Sequence, residues 1–164
     1  KKLDSDSRFR YTRVRFRFTT MESVVQNTNE PLLKFEKQGS ITVGTIHNAS
    51  MLDGLTVTDF GNEVVGYVQK NEGTNLLLNF KNVQYLSSAA LTELIRINDA
   101  VVTGKGQLKV CSVSKDIQKV FKITNFDKLF DIHEEAAEAC LKRFQRAVDL
   151  SREEEEWANK NKNF

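Results

Sequence analysis

Two histidines, His47 and His133, and two cysteines, Cys111 and Cys140, carry most of the side-chain chemistry this sequence has to offer. Nucleophilic catalysis pairs a Ser or Cys with a nearby base, usually His. Neither histidine has a companion in a Gly-x-Ser-x-Gly or His-Glu-x-x-His arrangement, so both read as ordinary strand-end or surface residues. The cysteines lie far apart in the chain and lack the spacing of metal ligands or of a disulfide framework, which points to reduced thiols. Gly61-Asn-Glu-Val-Val-Gly66 matches the first six positions of a phosphate-binding loop. Tyr67-Val68 stands where Lys-Ser/Thr must follow, and the segment has helical periodicity, so that match fails. No metal cluster is visible, no cofactor is implied, and a catalyst is not expected.

Ser87 and Ser88 are a different case. They fall after a short apolar run, Asn75–Phe80, and at the start of a helical pattern. Backbone amides of a first helical turn are unpaired and sit at the positive end of the helix dipole. A hydroxyl there caps the helix, and a phosphate there is well accommodated. Phosphorylation would add about −1.5 to −2 charges and change an interaction surface without unfolding the domain.

The elements that would position these residues follow from periodicity. Leu32–Lys37 reads as a strand, Gln38-Gly39 as a turn and Ser40–His47 as a second strand, together a hairpin. Val57, Phe60, Val64, Tyr67 and Val68 share one face of a helix over residues 55–70. Leu76-Leu77-Leu78 centres a buried strand with apolar residues on both faces. Leu91, Leu94, Ile95, Val101 and Val102 mark the next helix, closed by Gly104-Lys105-Gly106. Leu108–Ser112 is a strand, and Lys115–Thr124 a short helix with Ile117, Val120 and Phe121 inward. Leu129–Ile132 is a last strand. A final helix starts near Glu134 with the stripe Ala137, Cys140, Leu141, Phe144 and Val148. Strands alternating with helices indicate an α/β fold. The hairpin makes the sheet mixed, with four or five strands and helices mainly on one face.

At 164 residues the chain suits one domain. Charged residues make up 28% and hydrophobic ones 40%, with one proline and no apolar run of membrane-spanning length. No signal peptide is visible, and a cytoplasmic location is expected. The net charge of +2 is unevenly placed: Lys1, Lys2, Arg8, Arg10, Arg13, Arg15 and Arg17 face only Asp4 and Asp6 in the first 20 residues. Residues 8–18 alternate basic with aromatic or apolar side chains, with one phase slip at Thr12, the pattern of an arm that stacks on nucleic acid or adds a strand to a partner. Met21 follows and would serve as a start, which makes the first 20 residues an extension. The body carries a net negative charge, which argues against nucleic-acid binding except through the arm. Residues 1–29 are thus arm and linker, 30–145 the domain, and 146–164 a helix end and tail with the acidic run Glu153–Glu156.

Three stretches resemble the second half of a STAS domain (sulphate transporter and anti-sigma factor antagonist). They are Leu76–Leu91 with its Asn82-Val83, Tyr85-Leu86 and Ser87-Ser88-Ala89-Ala90-Leu91, then Gly104–Val113, then Val120–Ile132. The first half fits through Ile46 and Leu52-Asp53. The resemblance spans about Pro31–Phe144. It implies a phosphoacceptor at Ser88 and a partner surface of Asp53, Ser87, Ser88, Thr92 and Arg96 gathered at one end of the sheet. Where the family has Asp before the acceptor this chain has Ser87, and where it has Gly two residues after the acceptor this chain has Ala90. The implied function is that of an anti-sigma factor antagonist (anti-anti-sigma factor). Such a protein binds a kinase-type anti-sigma factor, is released when that serine kinase phosphorylates it, and is reset by a serine phosphatase. A second reading is a non-switching STAS subunit of a larger signalling or lipid-transport assembly, in which Ser88 only caps a helix. A nucleic-acid-binding module using the arm and a weak nucleotide hydrolase are the remaining alternatives; the missing phosphate loop speaks against the last.

Overall fold

Leu76, Leu77 and Leu78 are all fully buried. Successive side chains of a strand point to opposite faces, so this strand needs cover on both sides. The computed structural model, which describes residues 31–47 and 51–161, supplies it. In chain order the elements are β1 (Leu33–Gln38), β2 (Ile41–Ile46), β3 (Met51–Leu52), α1 (Gly54–Lys70), β4 (Asn75–Asn79) and β5 (Tyr85–Leu86), followed by α2 (Ser88–Thr103), β6 (Leu108–Cys111), α3 (Lys115–Ile123), a 3-10 turn (Phe126–Lys128), β7 (Asp131–Ile132) and α4 (Ala137–Asn161). The arm and linker read over residues 1–29 lie outside the described residues.

The main sheet has five strands in the order β1-β2-β4-β6-β7. β1 and β2 are antiparallel, joined at Gly39, whose φ of +63 is left-handed and favours glycine. The other neighbours are parallel. β4 is central, with Leu76 and Leu78 on the face covered by α1, α2 and α3. Leu77 lies on the other face with Ile41, Val43 and Cys111, covered by Cys140 and Phe144 of α4. The α/β expectation of a mixed sheet with helices mainly on one face therefore holds, with α4 as the exception.

Four details differ from the sequence reading. The last strand holds only Asp131–Ile132, because Leu129 closes the 3-10 turn ahead of it. α2 buries Ala90, Leu94, Ile97 and Val101, while Ile95 and Val102 remain 38% and 58% exposed. Two adjoining stripes of this helix are apolar, and packing against α1 and the sheet selects the one spaced 4-3-4. α4 begins at Ala137 rather than near Glu134, because the chain bends at Glu135, whose carbonyl accepts from the Ser112 amide at 2.9 Å. Finally, β3 and β5 form a separate parallel pair, too short for any periodicity to betray it.

Candidate functional site

Two devices hold the start of α2. The first is the β3–β5 pair, which sets Leu52 opposite Leu86 and is continued by the Ser87 amide donating to the Leu52 carbonyl at 3.1 Å. The loop that leads into β5 is itself tethered, since Asn82 Nδ2 donates to the Ile46 carbonyl at 2.8 Å. The second device is the cap. Ser87 has extended backbone angles, and its Oγ accepts from the Ala90 amide at 3.2 Å, which satisfies one orphan donor of the first turn.

Ser88 is the first residue of α2 and is exposed. The cap is Ser87, so a capping role for Ser88, as in the non-switching reading, is not what the hydroxyl does here. Asp53 immediately precedes α1, is exposed, and makes no side-chain cap bond. Because Leu52 and Leu86 are register partners, the residues after them, Asp53 and Ser87, leave the small sheet side by side.

Thr92 lies one turn along the same stripe of α2 as Ser88, its Oγ1 donating to the Ser88 carbonyl at 3.3 Å. Arg96 lies a further turn on, about 12 Å from Ser88 along the helix axis. Its Nε donates to Glu93 Oε2 at 2.7 Å and its Nη2 to Asn62 Oδ1 of α1 at 3.0 Å. Gly61 makes room for this clamp, since a Cβ there would stand 1.9 Å from Glu93 Oε2 and 2.7 Å from Arg96 Nη2. The structure thus brings Asp53, Ser87, Ser88 and Thr92 together at one tip and sets Arg96 apart, in the seam between α1 and α2.

Two neighbours of this tip escaped the sequence reading. Leu55, in the first turn of α1, is 85% exposed, and Tyr85 of β5 is 62% exposed. Leu55 falls off the buried stripe of its helix, and that is the signal that would have found it. An exposed leucine and tyrosine beside polar groups are the composition of a contact surface.

The other chemical residues stand apart from any constellation. His47 is exposed at the end of β2, and His133 is half-buried just after β7, its amide donating to the Val110 carbonyl at 2.9 Å. Gly61–Gly66 lies wholly within α1, where it forms no phosphate loop. Both cysteines are buried, lie together in the core between the sheet and α4, and form no disulfide. Among the described residues no cluster of three or more His, Cys, Asp and Glu could hold a metal ion, and no helix is long and apolar enough to cross a membrane.

A family model described as the STAS domain matches residues 33–139. Among solved structures, an anti-sigma-factor antagonist (STAS) domain protein from Planctomyces limnophilus aligns with a TM-score of 0.60 at 19% identity, covering 67% of this chain and 96% of that one. An anti-sigma factor antagonist from Mycobacterium paratuberculosis aligns with a TM-score of 0.57 at 16% identity, covering 67% and 91%. The Bacillus cell fate determinant SpoIIAA, in its phosphorylated form, aligns with a TM-score of 0.53 at 14% identity, covering 68% and 98%. At these identities the likeness is one of fold.

Proposed function

The chain belongs to the STAS domain family, and we propose that it works as an anti-sigma factor antagonist in a phosphorylation-controlled partner switch in the cytoplasm. The observation that carries this reading is the exposed Ser88 at the first position of α2, beside Asp53 and a Ser87 already engaged as the cap. In this reading Asp53, Ser87, Ser88 and Thr92 meet a kinase-type anti-sigma factor, and Arg96 borders the contact from the seam with α1. The kinase phosphorylates Ser88, and a serine phosphatase reverses the step. The protein itself is a binding module and not a catalyst.

The physics of the switch is local. A phosphate on Ser88 sits against first-turn amides, so the domain tolerates it. The partner meets nearly two new negative charges at the centre of its contact. Burying them unpaired costs several kcal/mol, enough to undo a modest complex.

One observation favours the non-switching alternative. Ser87 does the capping of an Asp without its charge, so an acidic determinant for a kinase is missing next to Ser88. A pull-down with wild type and Ser88→Asp separates the two readings. The switch predicts that wild type recovers a protein kinase of the anti-sigma type and that Ser88→Asp recovers about tenfold less or lower. Equal recovery of the same multi-subunit assembly by both, without a kinase, supports the structural subunit.

A further inference from the structure

The family match ends at residue 139, whereas α4 runs on to Asn161. Its sheet-facing side is spent early, on Cys140 and Phe144, with Leu141 and Val148 partly covered. From Leu150 to Asn161 every residue is exposed. The helix therefore carries a second stripe beside the sheet-facing one, exposed along its length. Arg143, Arg146, Ala147, Leu150, Glu153, Glu154 and Trp157 follow one another at spacings of three and four, which keeps them on one face. Leu150 is 51% exposed and Trp157 70% exposed.

The order of charge along this stripe is what identifies its occupant. Cations come first, Leu150 stands at the centre, and acids with Trp157 come last. Such a stripe is complementary to itself when reversed. We propose that α4 pairs antiparallel with α4 of a second copy of this chain, about a two-fold axis through Leu150. Leu150 then meets Leu150 once, on the axis, while Arg146 faces Glu154 of the second copy and Arg143 faces Trp157 of the second copy, each of these two contacts being made twice as the symmetry requires. A parallel pairing would set Arg146 against Arg146 and Glu154 against Glu154, which charge repulsion disfavours.

The surface beside the stripe is shaped for the tryptophan. An open cleft of about 330 Å³ lies between the edge of the sheet and α4, bordered by Lys109, Arg143, Phe144, Arg146, Ala147 and Leu150. Its lining is mostly apolar; at its rim Lys109 pairs with Asp131 and Arg143 with Glu135, and Lys109 Nζ stands 4.9 Å from the centre of the Phe144 ring. Phe144 itself is buried beneath Lys109, so an indole entering this cleft packs on Ala147 and beside the Arg146 guanidinium, a preferred partner of its π face. The candidate partner surface at the tip of α2 stays clear, because α4 covers the opposite face of the sheet.

Trp157 is the sole tryptophan, so its emission reports on this interface directly. Sedimentation velocity of the full chain should show a concentration-dependent monomer–dimer equilibrium in the micromolar range, with Trp157 emission shifting to the blue as dimer forms. The dimer should weaken roughly tenfold from low to high salt, because its flanking charge pairs are exposed. Leu150→Asp should be monomeric. Arg146→Glu and Glu154→Lys should each be monomeric or nearly so, and the double variant should regain the dimer. All these positions are exposed, and unchanged far-ultraviolet circular dichroism confirms that the fold is kept. A monomer throughout the micromolar range, or a dimer indifferent to Leu150→Asp, overturns the proposal. So does a red shift of Trp157 emission on deleting residues 1–20 with the oligomeric state unchanged, which would make the basic arm the occupant.

Discussion

The backbone amide of Ser87 donates to the carbonyl of Leu52 at 3.1 Å. That single bond joins the residue that caps α2 to the strand that leads into α1, and so fixes which serine is the cap and which is presented. Ser87→Ala deletes the acceptor of the Ala90 amide and should cost about 1 kcal/mol. Ser88→Ala removes an exposed hydroxyl and should change stability by less than about 0.5 kcal/mol. Urea unfolding of the two variants measures both. A reversed order would mean that α2 starts one residue later.

Two glycines should respond differently to alanine. A Cβ at Gly106 would stand 2.0 Å from the Thr74 carbonyl oxygen and 2.7 Å from its carbon, both backbone atoms. The loops there are locked together by further backbone bonds, such as the Gly73 amide to the Gly104 carbonyl at 2.7 Å. Gly106→Ala should therefore destabilise by roughly 1–3 kcal/mol. Gly61→Ala meets only the ends of Glu93 and Arg96, which can swing outward, so its cost should be smaller. The same substitution frees Arg96 from Asn62, and a change in partner affinity with little change in melting temperature would place Arg96 in the contact.

The thiols predict an alkaline weakness. Burial, chiefly, pushes the Cys111 thiol up to about 12, and Cys140 is raised by the same cause. The folded state thus holds the Cys111 proton more tightly than the unfolded chain, whose thiol titrates near about 8.5. This contribution is fully present below that value and is lost progressively as pH rises from there toward about 12. Stability followed by urea unfolding should fall over that window, and Cys111→Val should flatten the fall. At mildly alkaline pH the native protein should resist alkylation, with both cysteines reacting once it is unfolded. Rapid native-state labelling of Cys111 would contradict this burial.

Much of the architecture was legible because its elements are long or doubly buried. Leu76-Leu77-Leu78 had to be interior, and the stripe Val57, Phe60, Val64, Val68 could face only inward. What escaped the sequence depends on tertiary contacts. β3 and β5 are two residues each and exist because the chain brings Leu52 to Leu86. α2 offers two apolar stripes, and only α1 decides that Ile97 is buried and Ile95 is not. The site was legible in its residues but not in their division of labour: both serines suit a cap, and the bond to Leu52 assigns it to Ser87. Arg96 shares a helical stripe with Ser88, yet Asn62, far away in sequence, draws its guanidinium into the helix seam.

The most direct measurement of the proposed switch is phosphosite mapping by mass spectrometry after incubating the full chain with the kinase it recovers and with ATP. The account predicts phosphate on Ser88, none on Ser87, whose hydroxyl is engaged as the cap, and release of the kinase in step with modification. Phosphate on Ser87 alone, or a partner that stays bound with Ser88 unmodified, would contradict it.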